Sequence, residues 1–289
     1  MQYSFDSGDG FIRLKLGDAE MEQNYYVNQS NGTHYAILWN KGESTQIKID
    51  TVWYQFPSQS VLPIMHDQCF EMTNSKDIVV WQFNSEFYCI VNHDAEVGCV
   101  GFIFYGPYSN MFILLNEVDV DMMYKLLLVF EEEFKSKEEI KETMLRMLLV
   151  RLIIKITRLA KKQYLSNEDV EEEKFNLIRK FHLLVEQHFK SVHQVAFYAD
   201  LLHKSPKTIS NYFALFSKKT PQQVIHERII AEAKRLLFYT EKSIKEISHD
   251  LGFSEVTHFS KFFKNNTSQS PSALRKSNLN PDYELEMRK

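Results

Sequence analysis

A repeated pattern of short amphipathic helices between residues 192 and 276 constrains this chain more than any other feature. In the second copy, a short helix ends at Gly252, and the helix that follows carries aromatic residues at helical spacing, Phe259, Phe262 and Phe263. Ser254 is expected to cap this second helix, because its hydroxyl can accept a hydrogen bond from a free N–H at the helix start. Two such helices joined by a sharp turn at glycine predict a helix-turn-helix unit.

The first copy, FYADLLHKSPKTISNYF (197–213), repeats this scheme upstream. Its core-facing positions match those of the second copy at an offset of 49 residues before the turn and 50 residues after it. The matching pairs are Ala199 and Ser248, Leu202 and Leu251, Ile209 and Phe259, and Phe213 and Phe263. A single copy is equally typical of a solvated surface helix on an ordinary helical core. The tandem repeat favours a domain that places the second helix of each copy, here called a recognition helix, in a DNA major groove.

Between the copies, PQQVIHERIIAEAKRLLFYT (221–240) predicts one long helix, here called the connecting helix. Pro221 suits a helix N-terminus, and apolar residues recur along one side of the segment. At about 1.5 Å per residue the helix would be about 30 Å long. Successive major-groove faces on one side of a duplex lie roughly 34 Å apart, so the connecting helix is long enough to hold two recognition helices in adjacent grooves.

These residues resemble the AraC/XylS-type bacterial transcription activators. The similarity runs without a gap over 199–276, about a quarter of the chain, and is carried by SPKTISNYF (205–213), EAKRLL (232–237), IKEI (244–247), LGFSE (251–255), HFSKFFK (258–264) and SPSALRK (270–276). The arginine that the family carries in its connecting helix falls at Ile229, with Arg228 one position away. The resemblance implies an all-α C-terminal domain that binds double-stranded promoter DNA, with RNA polymerase as a further partner.

The sequence departs from the family pattern at four positions. Lys218 and Ser268 stand where glycine is usual, which puts the local turn geometry in question. Ser248 stands where alanine is usual, and Asn211 where a basic residue is usual. Asn211 suggests that the first unit binds DNA less tightly than the second.

The resemblance also implies which side chains face the DNA. The base-reading positions would be Lys207, Thr208, Ser210 and Asn211 in the first unit and Glu255, Val256, Thr257, Ser260 and Lys261 in the second. Lysines that flank the two turns and have no apolar role are expected to contact phosphates, namely Lys204, Lys218, Lys219, Lys245 and Lys264.

Charge is distributed unevenly along the chain. Residues 1–150 carry 10 Lys and Arg against 22 Asp and Glu, a net charge of −12, whereas residues 151–289 carry 24 against 16, a net charge of +8. Phosphate contact is therefore expected in the C-terminal half, while the acidic half avoids the duplex or meets another partner.

The N-terminal half shows the spacing of a β-rich domain. Between about residues 25 and 105, short runs of Tyr, Val, Ile, Trp and Phe alternate with turn signals, which is typical of an antiparallel barrel or sandwich. Candidate strands are 35–39, 45–49, 53–56, 78–83, 87–91 and 100–104. AraC-type regulators often carry a cupin-like barrel here, and this half resembles one in layout. The predicted fold is α+β: a cupin-like antiparallel β-barrel followed by helices, then an all-α domain with two helix-turn-helix units joined by a long helix.

Some cupins are metal enzymes, so the histidines of this half need attention. Metal-binding cupins carry a His-x-His pair with a following Glu and a later His, and the widely spaced His34, His66 and His93 lack that pattern. No metal, cofactor or catalytic residue is therefore expected. Candidates for the lining of an effector pocket are His34, Trp39, Trp53, Phe56, Trp81 and Phe83, for which an ordinary barrel core is the alternative.

Past residue 117 the apolar period becomes helical and predicts helices at 119–134 and 138–162. The second carries an apolar stripe of Leu145, Leu148, Leu149, Leu152, Ile156 and Leu159. Two interpretations stay open. The stripe packs on the barrel, or it pairs two copies of the chain, since AraC-type regulators commonly form homodimers through helices that follow the barrel.

These patterns predict a sensor or regulatory domain at 1–117, a helical dimerisation or connector segment at 118–165, an acidic link at 166–175, the DNA-binding domain at 176–276 and a tail at 277–289. The start of the chain lacks the order of a signal peptide, and three cysteines are sparse. The most apolar helix candidate is interrupted by Arg146, Arg151 and Lys155, which disfavours a membrane span. A cytoplasmic location is expected.

The leading hypothesis is a sequence-specific transcription regulator whose barrel responds to a small-molecule effector. One alternative is a cupin-type metal enzyme with a DNA-binding appendage, which metal analysis of the purified protein would detect. The other is a constitutive regulator whose barrel binds only protein, and the absence of a ligand-dependent melting shift would indicate it.

Overall fold

The N-terminal part of the chain is built from β-strands in two antiparallel sheets. The computed structural model describes residues 1–17, 25–26, 34–49, 52–65, 68–92, 102–105, 110–165, 169–216 and 219–279. Its strands are β1 (Gln2–Ser7), β2 (Gly10–Leu16), β3 (Tyr25–Tyr26), β4 (His34–Asn40), β5 (Thr45–Ile49), β6 (Val52–Phe56), β7 (Ser60–Ile64), β8 (Cys69–Met72), β9 (Ile78–Asn84) and β10 (Ile113–Leu114). Six strands form one sheet in the order β1-β2-β9-β4-β7-β10, and four form the other in the order β3-β8-β5-β6.

The two sheets share one apolar core. In β4 and β9, which pair with each other, residues of even number point toward the second sheet, so Ala36, Leu38 and Val80 enter this core. From the second sheet Ile47, Phe56 and Phe70 reach the same core. Side chains in a strand alternate between faces, so the residues of odd number in β4 and β9 lie on the opposite face of the large sheet.

That opposite face is covered by helices. The N-terminal unit contains α1 (Phe102–Tyr105), α2 (Glu117–Lys135) and α3 (Lys141–Tyr164). The ring of Trp39 lies 4.9 Å from that of Tyr124, and the ring of Trp81 lies 5.9 Å from that of Phe130, both centroid to centroid. An ion pair of 2.8 Å between Lys155 of α3 and Asp119 of α2 joins the two long helices.

Most strand predictions in this unit are confirmed, and two are wrong. Residues 87–91 form a turn followed by a helical stretch. Residues 102–104 of the predicted strand 100–104 belong instead to α1. Both are short, fully apolar runs, for which sequence periodicity does not separate a buried strand from a buried helix. Strands β1 and β2, which form one edge of the large sheet, were missed, as were β7, β8 and the two-residue strands β3 and β10.

The C-terminal part is all helical. Its helices are α4 (Asp169–His188), α5 (Val195–Leu201), α6 (Pro206–Phe216), α7 (Pro221–Tyr239), α8 (Ile244–Asp250), α9 (Val256–Thr267) and α10 (Pro271–Leu279). The two helices of each helix-turn-helix unit and the connecting helix, which the sequence predicted, are present in the described residues. The chain divides into the units Met1–Glu173 and Lys174–Lys289. The acidic segment 166–175, predicted as a link, is helical from residue 169, because α4 begins there.

Local sequence signals fix the start of several of these helices. The side chain of Thr220 accepts a hydrogen bond from the Gln223 backbone, and the Gln223 side chain bonds back to the Thr220 backbone, which forms a capping box. Ser243 and Glu246 form a second capping box at α8. The inner faces of the helices converge on one core that includes Phe181, Tyr198, Ile209, Phe213, Ile225, Ile229, Ala233, Leu237, Ile247, Leu251, Phe259 and Phe263.

Candidate nucleic-acid interface

Helices α6 and α9 are the recognition helices, and each has one buried and one exposed face. Ile209 and Phe213 anchor α6 in the core, and Phe259 and Phe263 anchor α9 in the same way. These four residues are the pairs that the sequence repeat aligns. The two helices are therefore held by equivalent contacts, and each keeps a second face that is exposed to solvent.

On the first recognition helix, Lys207, Ser210 and Asn211 are exposed and Thr208 is half-buried. The hydroxyls of Ser205 and Thr208 lie 2.9 Å apart, and Ser205 Oγ accepts a hydrogen bond from the Thr208 N–H. Ser210 Oγ donates to the Pro206 carbonyl at 2.9 Å. Two of the four predicted base-reading side chains thus already make bonds within the helix, which leaves Lys207 and Asn211 as the extended polar groups on this face.

On the second recognition helix, Glu255, Thr257 and Lys261 are exposed, while Val256 and Ser260 are half-buried. All five predicted positions lie on or beside the same solvent-facing side.

The start of this helix differs from the sequence prediction. The N-cap is Glu255, not Ser254, and its side chain makes no capping hydrogen bond. The backbone carbonyl of Glu255 accepts from the N–H groups of His258 and Phe259, so the helix begins at Val256. The Ser254 hydroxyl lies one residue too early to cap it.

The predicted phosphate-contacting lysines are not equivalent. Lys245 and Lys264 are exposed, and Lys204 is half-buried. Lys219 is exposed, but its ammonium pairs with Glu227 at 2.6 Å. Lys218 lies outside the described residues. Lysines 245 and 264 are therefore the clearest positive groups beside the second unit.

The two turns adopt the same left-handed backbone conformation. Gly252 has φ of +76° and His203, at the matching place of the first unit, has φ of +53°. Glycine reaches this region without strain, and histidine is one of the few other residues enriched there. Ser268, where the family usually carries glycine, also has a left-handed φ of +64° and ends α9 by donating its N–H to the Lys264 carbonyl. The turn is thus formed despite the serine.

A buried ionic cluster that the sequence analysis missed joins the connecting helix α7 to α4. Arg228 donates to Glu186 at 2.8 Å and lies 3.6 Å from Glu232, and its guanidinium carbon lies 4.0 Å from the centre of the Phe189 ring. Glu232 also accepts two hydrogen bonds from Arg235 and an ion pair from Lys190 at 3.4 Å. The spacing of Arg228 and Glu232 at i and i+4 was visible in the sequence. The pairing of Arg228 with Glu186 was not, because Glu186 lies on another helix.

This cluster controls the ionisation of Glu232. Burial acts to raise the pKa of the carboxyl, but the hydrogen bond from Arg235 and the charges of Arg228, Arg235 and Lys190 outweigh it and lower the pKa to about 2. Glu232 therefore stays ionised, and the cluster fixes the rotation of the connecting helix that carries both units.

The residues predicted for an effector pocket do not line one cavity. The side chain of Phe56 lies in the core between the sheets, whereas Trp39, Trp81 and Phe83 lie on the helix-covered face of the large sheet. Trp53 is 48% exposed, and His34 packs its ring edge against Phe11 at 4.8 Å. Strand alternation, which the aromatic content of the sequence does not reveal, separates these residues.

The apolar stripe of α3 is also placed differently from a dimer face. Leu145, Leu148, Leu149, Leu152 and Ile156 are buried within the N-terminal unit, and Leu159 is half-buried. The side chains are occupied by contacts within one chain. The structure therefore favours packing on the N-terminal domain, and pairing of two copies through the stripe stays a prediction.

Within the described ranges, no three His, Cys, Asp or Glu side chains converge in a way that could hold a metal ion. His66 and His93 lie outside the described residues. No helix in the part of the chain that the structure describes combines the length and hydropathy that a membrane crossing requires.

Two helix-turn-helix units on one connecting helix define a DNA-binding domain, and comparison with known proteins identifies its type. Residues 198–277 match the family model of a helix-turn-helix domain. The chain is 38% identical over 69 residues to the HTH-type transcriptional activator RhaS of Mannheimia succiniciproducens. The aligned segment covers 24% of this chain and 26% of that relative. It is 22% identical over 161 residues to RhaS of Enterobacter sp., which covers 56% of each chain. The C-terminal domain belongs to the AraC-type helix-turn-helix domains.

The chain spans about a quarter to about half of the length of these curated relatives. Among solved structures, apo ToxT from Vibrio cholerae aligns over 91% of this chain and 96% of its own, with a TM-score of 0.46 and 14% identity.

Proposed function

We propose that this protein is a transcription regulator that binds promoter DNA sequence-specifically through both helix-turn-helix units. The observation that carries this proposal is the matched pair of recognition helices, each anchored by equivalent core residues and each presenting a polar face. The unit that carries them, Lys174–Lys289, has 19 Lys and Arg against 11 Asp and Glu, a net charge of +8. A positive domain favours the approach of a polyanion, and exposed polar side chains on a helix can read base edges.

The two units are expected to contribute unequally. The second presents Lys261 among its base-reading positions, with Lys245 and Lys264 beside it. The first has Asn211 where a basic residue is usual, and two of its hydroxyls bond within the helix. We therefore assign the larger part of the binding free energy to the second unit.

The N-terminal unit supplies the regulatory part of the proposal. A two-sheet core covered by helices suits a domain that binds a small-molecule effector and pairs two copies of the chain. Because the apolar stripe of α3 is buried, a homodimer would use exposed apolar side chains on α2 and α3, among which Leu128 is 58% and Met147 60% exposed. RNA polymerase as a second partner and a cytoplasmic location follow from the same proposal.

The test starts from selection of bound sequences out of a random duplex library with the full chain. Titration of the recovered site and of a scrambled site then gives the specificity ratio. Lys261→Ala should weaken binding to the recovered site by about 1–3 kcal/mol and relax the preference at one or two base pairs. Lys264→Ala, on the same helix, is the matched control and should weaken both sites alike. Recovery of no preferred sequence would exclude the proposal.

A further inference from the structure

Two histidines and two phenylalanines meet where the connecting helix contacts the second helix-turn-helix unit. His193 lies in the segment between α4 and α5, and its ring lies 4.8 Å from that of Phe253, at the turn. His226 lies on the connecting helix, and its ring lies 4.9 Å from that of Phe262 on the second recognition helix. Phe253 and Phe262 are 5.2 Å apart. This group, here called the histidine joint, therefore connects three elements that position the second unit.

Gln222 fixes the protonation of this joint. Its amide nitrogen donates to the backbone carbonyl of His193 at 2.9 Å and lies 2.8 Å from His226 Nε2. An amide NH₂ group only donates, so His226 Nε2 must accept and must carry no proton. Rotation of the amide by half a turn would place its oxygen against the His193 carbonyl oxygen, and the two acceptors would repel. A proton on His226 Nε2 would thus break a bridge between the connecting helix and the 191–194 segment.

His193 has no place for a second proton either. Its Nε2 is buried without a hydrogen-bond partner among the described residues. Burial lowers the pKa of His193, although the carbonyl oxygens of Leu251 and Phe189 act to raise it. Burial also lowers the pKa of His226, and the nearby His193 lowers it further. Both rings are therefore neutral in the docked state near neutral pH.

Charged groups on the surrounding elements offer no compensation for an added positive charge. They pair with one another or face solvent: Glu186 with Arg228, Lys190 and Arg235 with Glu232, Glu227 with Lys219, and Asp250 with Lys242, while Glu246, His249, Glu255, His258 and Lys261 are exposed. His188, on α4, packs against Phe197 of the first unit. A proton on either joint histidine would thus find no carboxylate partner among the residues that the structure describes and would lie beside a second histidine and apolar rings.

We propose that the histidine joint is an acid-sensitive device, in which protonation of His193 and His226 loosens the second unit from the connecting helix and lowers the affinity of the protein for its operator. This inference rests on the proposed DNA-binding function. Histidines whose folded-state pKa lies below the ordinary value of 6.5 contribute stability that is fully present above that pH. The contribution is lost as the pH falls below it. Operator binding should therefore weaken in mildly acidic conditions while the first unit keeps its contacts.

The experiment compares operator affinity of the full chain at pH 7.5 and 5.5 at constant ionic strength. The wild-type protein should lose about fivefold or more, because the released histidines take up protons that the docked rings exclude. In His226→Gln the side-chain oxygen can still accept from Gln222 but does not titrate, so the loss should be smaller than in the wild-type protein. His193→Asn, whose amide can replace the ring N–H, should behave similarly. In the double variant His193→Asn with His226→Gln the loss should fall below about twofold. His249→Gln, an exposed histidine on α8, is the matched control and should keep the wild-type loss.

A wild-type affinity that is unchanged between the two pH values, or variants that retain the full wild-type loss, would overturn the proposal. Thermal unfolding of the same proteins, followed by helical circular dichroism, separates this outcome from failure of the proposed function. If the chain binds no DNA at any pH, the proposed function fails, while the acid loss of helix stability and its reduction in His226→Gln still test the joint. Equal acid loss in both proteins would remove the joint independently of DNA.

Discussion

The α-carbon of Gly252 lies directly against the carbonyl oxygen of Lys190. A Cβ built on Gly252 would lie 2.4 Å from that oxygen, closer than real Cβ contacts, and the glycine has φ of +76°. The turn of the second unit thus lies against the backbone that follows α4, with no room for a side chain at Gly252. In the first unit His203 adopts the same left-handed conformation. The second unit therefore differs in the close backbone contact at Gly252 and not in the conformation of its turn.

Gly252→Ala should therefore destabilise the C-terminal unit by more than about 2 kcal/mol, because a left-handed alanine costs about 1–2 kcal/mol before any backbone displacement. His203→Gly is the control and should change stability by less than about 1 kcal/mol. All three tryptophans, Trp39, Trp53 and Trp81, lie in the N-terminal unit. Urea unfolding followed by ellipticity should shift in Gly252→Ala, while tryptophan fluorescence should not. Equal stability of the two variants would contradict this interpretation.

Glu232 should make the C-terminal unit acid-sensitive. Its pKa of about 2 lies below the ordinary value of 4.5 for a glutamate, so its contribution is present above about pH 5 and is lost as the pH falls toward 2. The size of that contribution is on the order of 3 kcal/mol. Glu232→Gln should lower stability at pH 7, because it leaves Arg228 and Arg235 without this carboxylate, and should flatten the dependence between pH 5 and 2. Denaturant titrations across that range measure both effects. An unchanged pH slope in the variant would rule out the assigned ionisation.

The salt dependence of DNA binding should change by different amounts when two exposed lysines, Lys245 and Lys219, are replaced. Lys245→Ala removes a lysine at the second unit and should reduce the magnitude of the slope of log K against log salt by about 0.9 if the ammonium contacts a phosphate. Lys219 pairs with Glu227 at 2.6 Å, so binding of DNA must first compete with that pair. Lys219→Ala should reduce the slope by less. Titrations of the operator at several salt concentrations provide the measurement, and a larger effect at Lys219 would reverse the assignment.

The burial of the α3 stripe predicts different effects for two neighbouring positions. Leu149 is fully buried, so Leu149→Ala should destabilise the N-terminal unit by about 2–5 kcal/mol in tryptophan-detected unfolding. Met147→Ala, at an exposed position of the same helix, should leave that stability nearly unchanged. If the proposed dimer uses the exposed side chains of α2 and α3, Met147→Asp should instead shift sedimentation toward the monomer. A monomeric but stable Leu149→Ala would restore the stripe as the dimer face.

The sequence predicted the C-terminal domain far better than the N-terminal one, for a physical reason. Helices depend on contacts within a few residues, so their period, their caps at Thr220 and Ser243 and the glycine at the turn are all visible locally. Strands depend on partners that are distant in the chain. The pairing of β2 with β9, about 70 residues apart, leaves no local mark, and β1 and β2 were missed. The start of α9 was misplaced by one residue because the helix begins without the side-chain cap that Ser254 was expected to supply.

By itself the sequence determined the helices of the two units and the connecting helix, the repeat that places Phe213 and Phe263 at equivalent positions, and the polar faces that carry Asn211 and Lys261. Only the tertiary structure decided which side chains share a core and which already have partners within the chain. It separated Trp39 and Trp81 from Phe56, buried Leu149 inside one chain, and brought Glu186 to Arg228 and His193 to Phe253. Such contacts join residues on different elements, and their free energy depends on burial and on partner geometry, neither of which a linear pattern contains.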